Sequence, residues 1–294
     1  MQLLSPAKIN LHLRVGPRAE GGFHPLLSWM CTLNLCDIIR ITPTPSDHIR
    51  FTCNNPNVPT DKSNLILRAA AALHPKSGAD IHLEKKIPIG GGMGGGSSNA
   101  AATLLGLNQL WNLNLTLDEL SPIAATLGSD VPFFLHGPSS ICQGRGERVT
   151  PIPLPSPKFA VLFFPDLSMS TPAVYRKFDE LKLGSDEAIQ YAPDWTEWTK
   201  LPAVDLLKKL VNDLEPPAFS LCPQLGELRE QLEDQINQIV RMSGSGSTLF
   251  TLADDQRHAD QILAQIKNVP IRAQAFRLGA SSSLGNSGEF KTGV

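Results

Sequence analysis

The chain has only five cysteines, Cys31, Cys36, Cys53, Cys142 and Cys222, an odd number without a C-x-x-C pair. Neither a disulfide framework nor a zinc site is therefore signalled, and the thiols read as small buried hydrophobes. Net charge is scarce too. With 26 Lys and Arg against 28 Asp and Glu, the balance of -2 argues against a general grip on nucleic acid or an anionic membrane. No apolar run reaches the ~20 residues of a membrane span, and the N-terminus lacks a signal-peptide core, so a cytoplasmic protein is expected. What remains is an ordinary globular composition, 41% hydrophobic and 18% charged. At ~150 residues per domain the length suits two domains, each with a substantial core.

The stretch around which the chain is organised reads Pro88, Ile89, Gly90, Gly91, Gly92, Met93, Gly94, Gly95, Gly96, Ser97, Ser98. From 90 to 96 the only β-carbon is that of Met93, so this backbone can enter positive-φ regions and approach a ligand closely. Ser97 or Ser98 is placed to cap a helix whose body, from Ala100 to Leu105, has high helix propensity and an apolar face. A glycine loop feeding a helix N-terminus aims unpaired N–H groups and the positive dipole end at one spot, which suits a phosphate. The bland alternative is a flexible linker, but linkers seldom run into a capped apolar helix.

The loop lacks the lysine of a Walker A sequence, so any cation must come from elsewhere in the chain. Gly90, Gly92 and Gly95 also satisfy G-x-G-x-x-G, with Asp118 roughly 20 residues on, the spacing of a dinucleotide fold. A dinucleotide loop, however, follows a buried, continuous apolar strand. Ile81-His-Leu-Glu-Lys-Lys-Ile87 alternates instead, as a half-exposed strand does, which ranks a nucleoside triphosphate above NAD.

Ala7, Ile9, Leu11 and Leu13 alternate with Lys8, Asn10, His12 and Arg14, the period-2 pattern of a strand. The polar face is either solvated, as is usual, or supplies Lys8 as the missing cation with Asn10 beside it. Phe23 and His24 follow a Gly21-Gly22 turn and are either a lid for a flat ring or a plug under the loop. Asn64 reads as a helix cap before Leu65, Ser121-Pro122 as a helix start closed by Gly128, and Asp130 as either a cap or a general base. Strands and helices in this order suggest a ribosomal-type βα layout for the first half.

Pro151, Pro153, Pro155 and Pro157 mark the best domain boundary. Beyond it a buried strand is expected over 159–164, a helix from 171 carrying Tyr175 and Phe178, irregular chain over 183–200 and a helix over 223–238. Asn212-Asp-Leu-Glu-Pro-Pro217 reads as a helix break. Two β-rich runs around Ser243-Gly-Ser-Gly-Ser247 read as a hairpin whose turn is either plain or a second phosphate-side loop. A returning strand over 271–277 would make the second half a split βαβ layer, and the Ser/Gly-rich stretch 281–294 is expected to be disordered.

Pro6-Ala-Lys-Ile-Asn-Leu11, the glycine stretch 88–98, Leu127-Gly-Ser-Asp-Val-Pro-Phe-Phe134 and Met242-Ser-Gly-Ser-Gly-Ser247 occur together in this order, and by them the chain resembles the GHMP kinase superfamily. The resemblance runs to about residue 277 and is most detailed for the branch whose acceptor is a cytidylated alcohol of non-mevalonate isoprenoid synthesis. It implies an α+β, two-domain fold, with a ribosomal-protein-like βα domain over 1–150 and a ferredoxin-like α+β domain over 151–280. It also implies an ATP-dependent kinase that needs Mg²⁺, with Lys8 and Asp130 as the catalytic pair and residues 88–98 around the ATP phosphates. Asn64 falls near the adenine and Ser98 is the candidate metal contact. Asn10, His24 and Thr171 fall on the substrate side, and Phe23 with Tyr175 would sandwich the cytosine, where stacking contributes about 1–3 kcal/mol.

One departure is at the lid, where the family more often has Asp-Gly-Tyr-His and this chain has Gly21-Gly-Phe-His24. The ring face is kept and the hydroxyl lost. A small-molecule acceptor and a monomer or weak homodimer are expected, with no nucleic-acid or membrane partner. Rivals are a sister enzyme such as homoserine kinase and, from another class, an NAD-binding oxidoreductase.

Overall fold

Alternation in the first strand and β-branched runs in the next build one large sheet, described here from a computed structural model that covers residues 1–73, 77–266, 269–281 and 284–285. Its strands are β1 (Gln2–Val15), β2 (Leu26–Thr44), β3 (Ile49–Cys53), β4 (Gly78–Glu84), β5 (Ser139–Gly144) and β6 (Arg148–Pro151). The order is β1-β2-β4-β3, with β5 on the other end of β2 and β6 beyond it. Nineteen-residue β2 makes this branching feasible, because residues 26–31 pair with β5 and residues 38–44 with β4. Among the described strands, only β3 and β4 pair in parallel.

Helices α1 (Leu65–Ala72), α2 (Gly95–Leu110), α3 (Leu117–Leu127) and α4 (Val131–His136) cover one face of the sheet, sharing a core with Leu3, Ile39, Ile41, Ile81 and Leu83. The second half holds β7 (Phe159–Phe164), α5 (Thr171–Glu180), α6 (Asp186–Gln190), α7 (Trp195–Trp198), α8 (Ala203–Lys209), α9 (Glu215–Leu221) and α10 (Pro223–Ile236). After these come β8 (Arg241–Met242), β9 (Leu249–Ala253), α11 (Gln256–Gln265) and β10 (Arg272–Arg277). Strand order β10-β7-β9-β8, all antiparallel, is the split βαβ arrangement expected for this half. Leu284–Gly285, here β11, pairs with the start of β1, and the rest of the expected tail beyond residue 281 lies outside the described residues. No helix among the described residues is long and apolar enough to cross a membrane.

Three local expectations are corrected. The α2 cap is neither Ser97 nor Ser98 but Gly94, at φ 67° with no side-chain capping bond. A side chain there would be strained by φ and crowded as well, since a β-carbon would sit 3.0 Å from Lys8 Cγ and 3.0 Å from Phe134 Cζ. Helix α3 begins at the Thr116/Glu119 capping box, five residues before Pro122, because two reciprocal bonds fix that end and Pro122 is absorbed inside. Residues 183–200 carry the short helices α6 and α7, each capped by an acceptor side chain, Ser185 or Asp194.

The polar face of β1 is not solvated. Lys8, Asn10 and His12 are 4%, 3% and 3% exposed: Lys8 and Asn10 lie against Met93, Asp130, Ser28 and the 243–244 turn and His12 against Trp195 and Trp198, while their apolar neighbours Ala7, Ile9 and Leu11 meet Leu162, Leu206 and Phe250 in a core between the two halves. His12 lies edge-on to Trp195 and Trp198, and its Nδ1 accepts from Val211 N at 3.3 Å. Burial, followed by the positive charges of Arg14 and Arg241, lowers its pKa from 6.5 to about 3. The unfolded chain therefore takes up a proton that the folded one refuses. Stability is full above pH 6.5 and is lost as pH falls toward 3, by ~2 kcal/mol between pH 7 and pH 5. Urea unfolding at both pH values should show this loss in the parent and not in His12→Gln; equal losses would contradict it.

Candidate active site

Two register shifts in the β1–β2 pairing, between Pro6 and Lys8 and between Asn10 and His12, bracket the residues that enter the site. Bulges of this kind re-aim side chains. Lys8 Nζ lies 2.6 Å from Asn10 Oδ1 and 3.4 Å from Asp130 Oδ2. Asn10 Nδ2 donates to Ser28 Oγ at 2.9 Å, and Ser28 Oγ donates to His12 O, which fixes the amide with its oxygen toward Lys8. Asp130 occupies the N-cap position of α4 yet makes no capping bond; its carboxylate is turned to Lys8 instead. The capping role is thereby removed. Burial and, after it, the charge of Asp130 push the Tyr175 hydroxyl up to about 12, and the same two causes raise the Cys142 thiol.

The glycine stretch is anchored from within. Met93, its one side chain before the serines, is 2% exposed in the core between the halves, and Met93 O accepts from Lys8 N at 3.0 Å. Thr248 Oγ1 donates to Gly91 O at 2.7 Å, so the 243–248 turn braces the glycine loop and is no plain hairpin turn. At the entry, fully buried Asp37 accepts from Lys86 N (2.7 Å), Ile87 N (2.8 Å) and Asn99 Nδ2 (3.1 Å) and pairs with Lys85 Nζ at 2.9 Å. Lys85 spends its ammonium on that carboxylate and on Ile87 O.

Two clefts open on either side of this loop. The larger, of about 810 Å³, is lined by Lys8, Asn10, Phe23, His24, Asp130, Thr171 and Tyr175 together with Gly244 and Ser245. The smaller, of about 390 Å³, is lined by Asn57, Val58, Pro59, Asn64, Lys85 and Pro88 through Ser97. Gly92, Gly94 and Ser97 line both, so the N-terminus of α2 is their shared wall. A group bound by the loop's N–H donors in one cleft is presented to Lys8 and Asp130 in the other.

Within the larger cleft, His24 Nε2 lies 2.6 Å from Asp179 Oδ1 and its ring 5.0 Å from that of Tyr175. Phe23 is 53% exposed, with the Arg145 guanidinium 4.4 Å above its ring. Thr171 Oγ1 and Ser245 Oγ are 2.7 Å apart. Asn64 lines the smaller cleft, where its amide is held by two bonds: Oδ1 caps α1 through Ile66 N and Nδ2 donates to Pro59 O, leaving one N–H and one lone pair uncommitted. Ser98 is corrected: it is 1% exposed, accepts from Ser5 Oγ at 2.8 Å and lines neither cleft, because one residue's rotation along α2 turns it inward while Ser97 faces out. No group of three or more His, Cys, Asp or Glu able to hold a metal occurs among the described residues.

Sequence reasoning passed over Arg18, Arg145, Arg176 and Asp179, which also line the larger cleft. A signal existed for Asp179, which follows Thr171 and Tyr175 at i+4 steps on one face of α5. Arg145 stands in a Gly-Arg-Gly turn after β5, a loop-tip position recognisable only in hindsight of the pairing.

The descriptions "GHMP kinases N terminal domain" and "GHMP kinases C terminal" match residues 64–138 and 200–271, the glycine-loop layer and the split βαβ layer. A 4-diphosphocytidyl-2-C-methyl-D-erythritol kinase of a Geobacillus species is 39% identical, over 97% of this chain and 100% of its own length. The enzyme of that name from Trichormus variabilis is 38% identical over 90% of each chain. A crystal structure of 4-(cytidine 5'-diphospho)-2C-methyl-D-erythritol kinase superposes with a TM-score of 0.74 at 38% identity, over 96% of this chain and 100% of that one. A homoserine kinase from Cytophaga hutchinsonii shares the fold alone, with a TM-score of 0.67 at 18% identity, over 96% of this chain and 95% of that one. The chain belongs to the 4-diphosphocytidyl-2-C-methyl-D-erythritol kinase family of the GHMP kinases.

Proposed function

We propose that this protein transfers the γ-phosphoryl group of ATP to the 2-hydroxyl of 4-diphosphocytidyl-2-C-methyl-D-erythritol, giving the 2-phosphate and ADP. The observation that carries the reading is the Lys8–Asp130 pair, 3.4 Å apart, facing the helix N-terminus that two clefts share. Asp130 takes the proton of the acceptor hydroxyl, whose oxygen then bonds to phosphorus as the bridge to ADP breaks. Lys8 pairs with that carboxylate and offsets charge on the transferred group. Asn10 fixes the ammonium. The N–H groups at the start of α2 hold the phosphate tail, and the turn at 57–59 with Asn64 shapes the nucleoside end. Mg²⁺ would be held mainly by substrate phosphates, with the Ser97 hydroxyl on the shared wall as a protein donor, and would supply charge neutralisation, which suits an ion that keeps few protein ligands.

On the acceptor side, Phe23, His24 and Tyr175 supply ring faces and Arg18, Arg145 and Arg176 supply guanidinium groups, a chemistry matched to a nucleoside diphosphate. Homoserine offers nothing for those rings. Turnover with Mg-ATP decides: kcat/KM for the cytidylated alcohol should exceed that for homoserine by about 10³-fold or more, and preference for homoserine would overturn the proposal. Tyr175→Ala should raise KM for the cytidylated acceptor about tenfold with KM for ATP unmoved. An unchanged acceptor KM would remove Tyr175 from base recognition.

A further inference from the structure

We propose that Asn212 is a positioning residue for phosphoryl transfer, pinning the 243–247 turn against Lys8 and Asn10. This rests on the reading that Lys8 and Asp130 carry the reaction. Asn212 opens the run Asn212-Asp213-Leu214-Glu215, which as sequence signals only a helix break. It is 5% exposed, and its whole amide is engaged: Nδ2 donates to Met242 O at 2.7 Å and Gly244 O at 2.8 Å, while Oδ1 accepts from Leu214 N at 2.9 Å. Two acceptors on one side and a donor on the other fix which way the amide points.

The neighbouring atoms tie the same run to both halves of the molecule. Toward β1, Val211 O accepts from Leu13 N at 2.8 Å, Asp213 N donates to Leu13 O at 3.0 Å, and the Asp213 carboxylate accepts from Val15 N and Arg14 Nη1. Toward β8, Glu215 accepts from Met242 N at 2.9 Å. Strand β1 carries Lys8 and Asn10; β8 leads into the turn. Asn212 is thus the joint between the catalytic strand and its wall.

What the wall touches gives the joint its consequence. Gly244 sits at φ +58°, and a β-carbon on it would lie 3.1 Å from Asn10 Oδ1 and 3.8 Å from Lys8 Nζ. Asn10 N also donates to Ser243 Oγ at 3.2 Å. Without the Asn212 amide, two carbonyls lose their donor and the turn is free to relax onto the lysine pocket. Gly244 and Ser245 line the larger cleft and no residue of 243–247 lines the smaller one, so the displacement is felt first at the reacting groups and reaches nucleotide binding only through the brace on Gly91.

Asn212→Ala should lower kcat about 10- to 100-fold, the scale of a misplacement near 1 Å, while the Kd of Mg-ATP by calorimetry stays within about twofold. Asn108→Ala is the control, because Asn108 makes a comparable but half-buried amide bridge, to Leu115 O at 2.9 Å and from Leu115 N at 3.0 Å, away from both clefts. Its kcat should stay within about twofold of the parent. Asn212→Ser keeps one short donor and should cost about three- to tenfold; it serves if the alanine variant is not recovered folded. A kcat within about twofold of the parent for Asn212→Ala, or for the serine variant in its place, overturns the proposal, as does an equal fall in Asn108→Ala. Full activity of Asp130→Asn would instead sink the underlying reading, so the two failures are distinguishable.

Discussion

Asp130→Asn is expected to lose about 10³-fold or more in kcat while its affinity for Mg-ATP changes by less than about twofold. The substitution preserves volume and removes the negative charge, and with it the capacity to take a proton. Because Asp130 makes no capping bond, α4 does not depend on the carboxylate, and the loss cannot be ascribed to a frayed helix. Lys8 keeps its 2.6 Å bond to Asn10, so the ammonium stays in place with its counter-charge gone. The nucleotide cleft lies across the glycine loop and does not include Asp130, which is why binding and turnover should part company. Single-turnover kinetics and calorimetry on the same preparation check this; an unchanged kcat would remove Asp130 from proton transfer.

The second large effect is on stability. Asp37 is 0% exposed and holds Lys85, two backbone N–H groups and the Asn99 amide, tying β2 to the entry of the glycine loop and to α2. Truncating it to alanine strands a buried ammonium, the buried Ile87 N–H and the half-buried Lys86 N–H, a loss of about 3–5 kcal/mol for the ion pair alone. Adding Lys85→Met removes the stranded charge, so the double variant should recover part of that loss although the two N–H groups remain unpaired. KM for ATP should rise about tenfold in the single variant as the loop entry loosens. Urea unfolding of the three proteins measures the cycle. A single-variant loss under about 1 kcal/mol would show that the carboxylate is not what holds the loop.

Much of this arrangement was legible in the chain because backbone chemistry is local. The glycine run before Ala100 announced a loop feeding a helix, and the turn-flanked runs around residue 245 announced a hairpin. Burial was not legible. The alternation of Lys8, Asn10 and His12 reads as a solvated face until Asp130, the 243–244 turn and Trp195 with Trp198 close over it, long-range events with no trace in a period-2 pattern. Capping was misjudged where two signals competed: at Thr116 the reciprocal box outweighed Pro122, and at Gly94 crowding by Lys8 and Phe134 outweighed the serines downstream. Asn64 shows the converse, a cap that was foreseen and that the structure keeps, Oδ1 accepting from Ile66 N. Isolated arginines such as Arg18 and Arg176 carry no local signature at all, and only the fold brings them to one cleft.

The central claim is that the phosphoryl group passes from the smaller cleft, across the N-terminus of α2, to the acceptor oxygen beside Lys8 and Asp130. Phosphorus NMR of the product formed from Mg-ATP and 4-diphosphocytidyl-2-C-methyl-D-erythritol tests it most directly. The account predicts a new phosphomonoester resonance coupled through the oxygen on carbon 2, appearing in step with ADP and absent with Asp130→Asn. ADP release without that resonance, or a phosphate on any other oxygen, would contradict it.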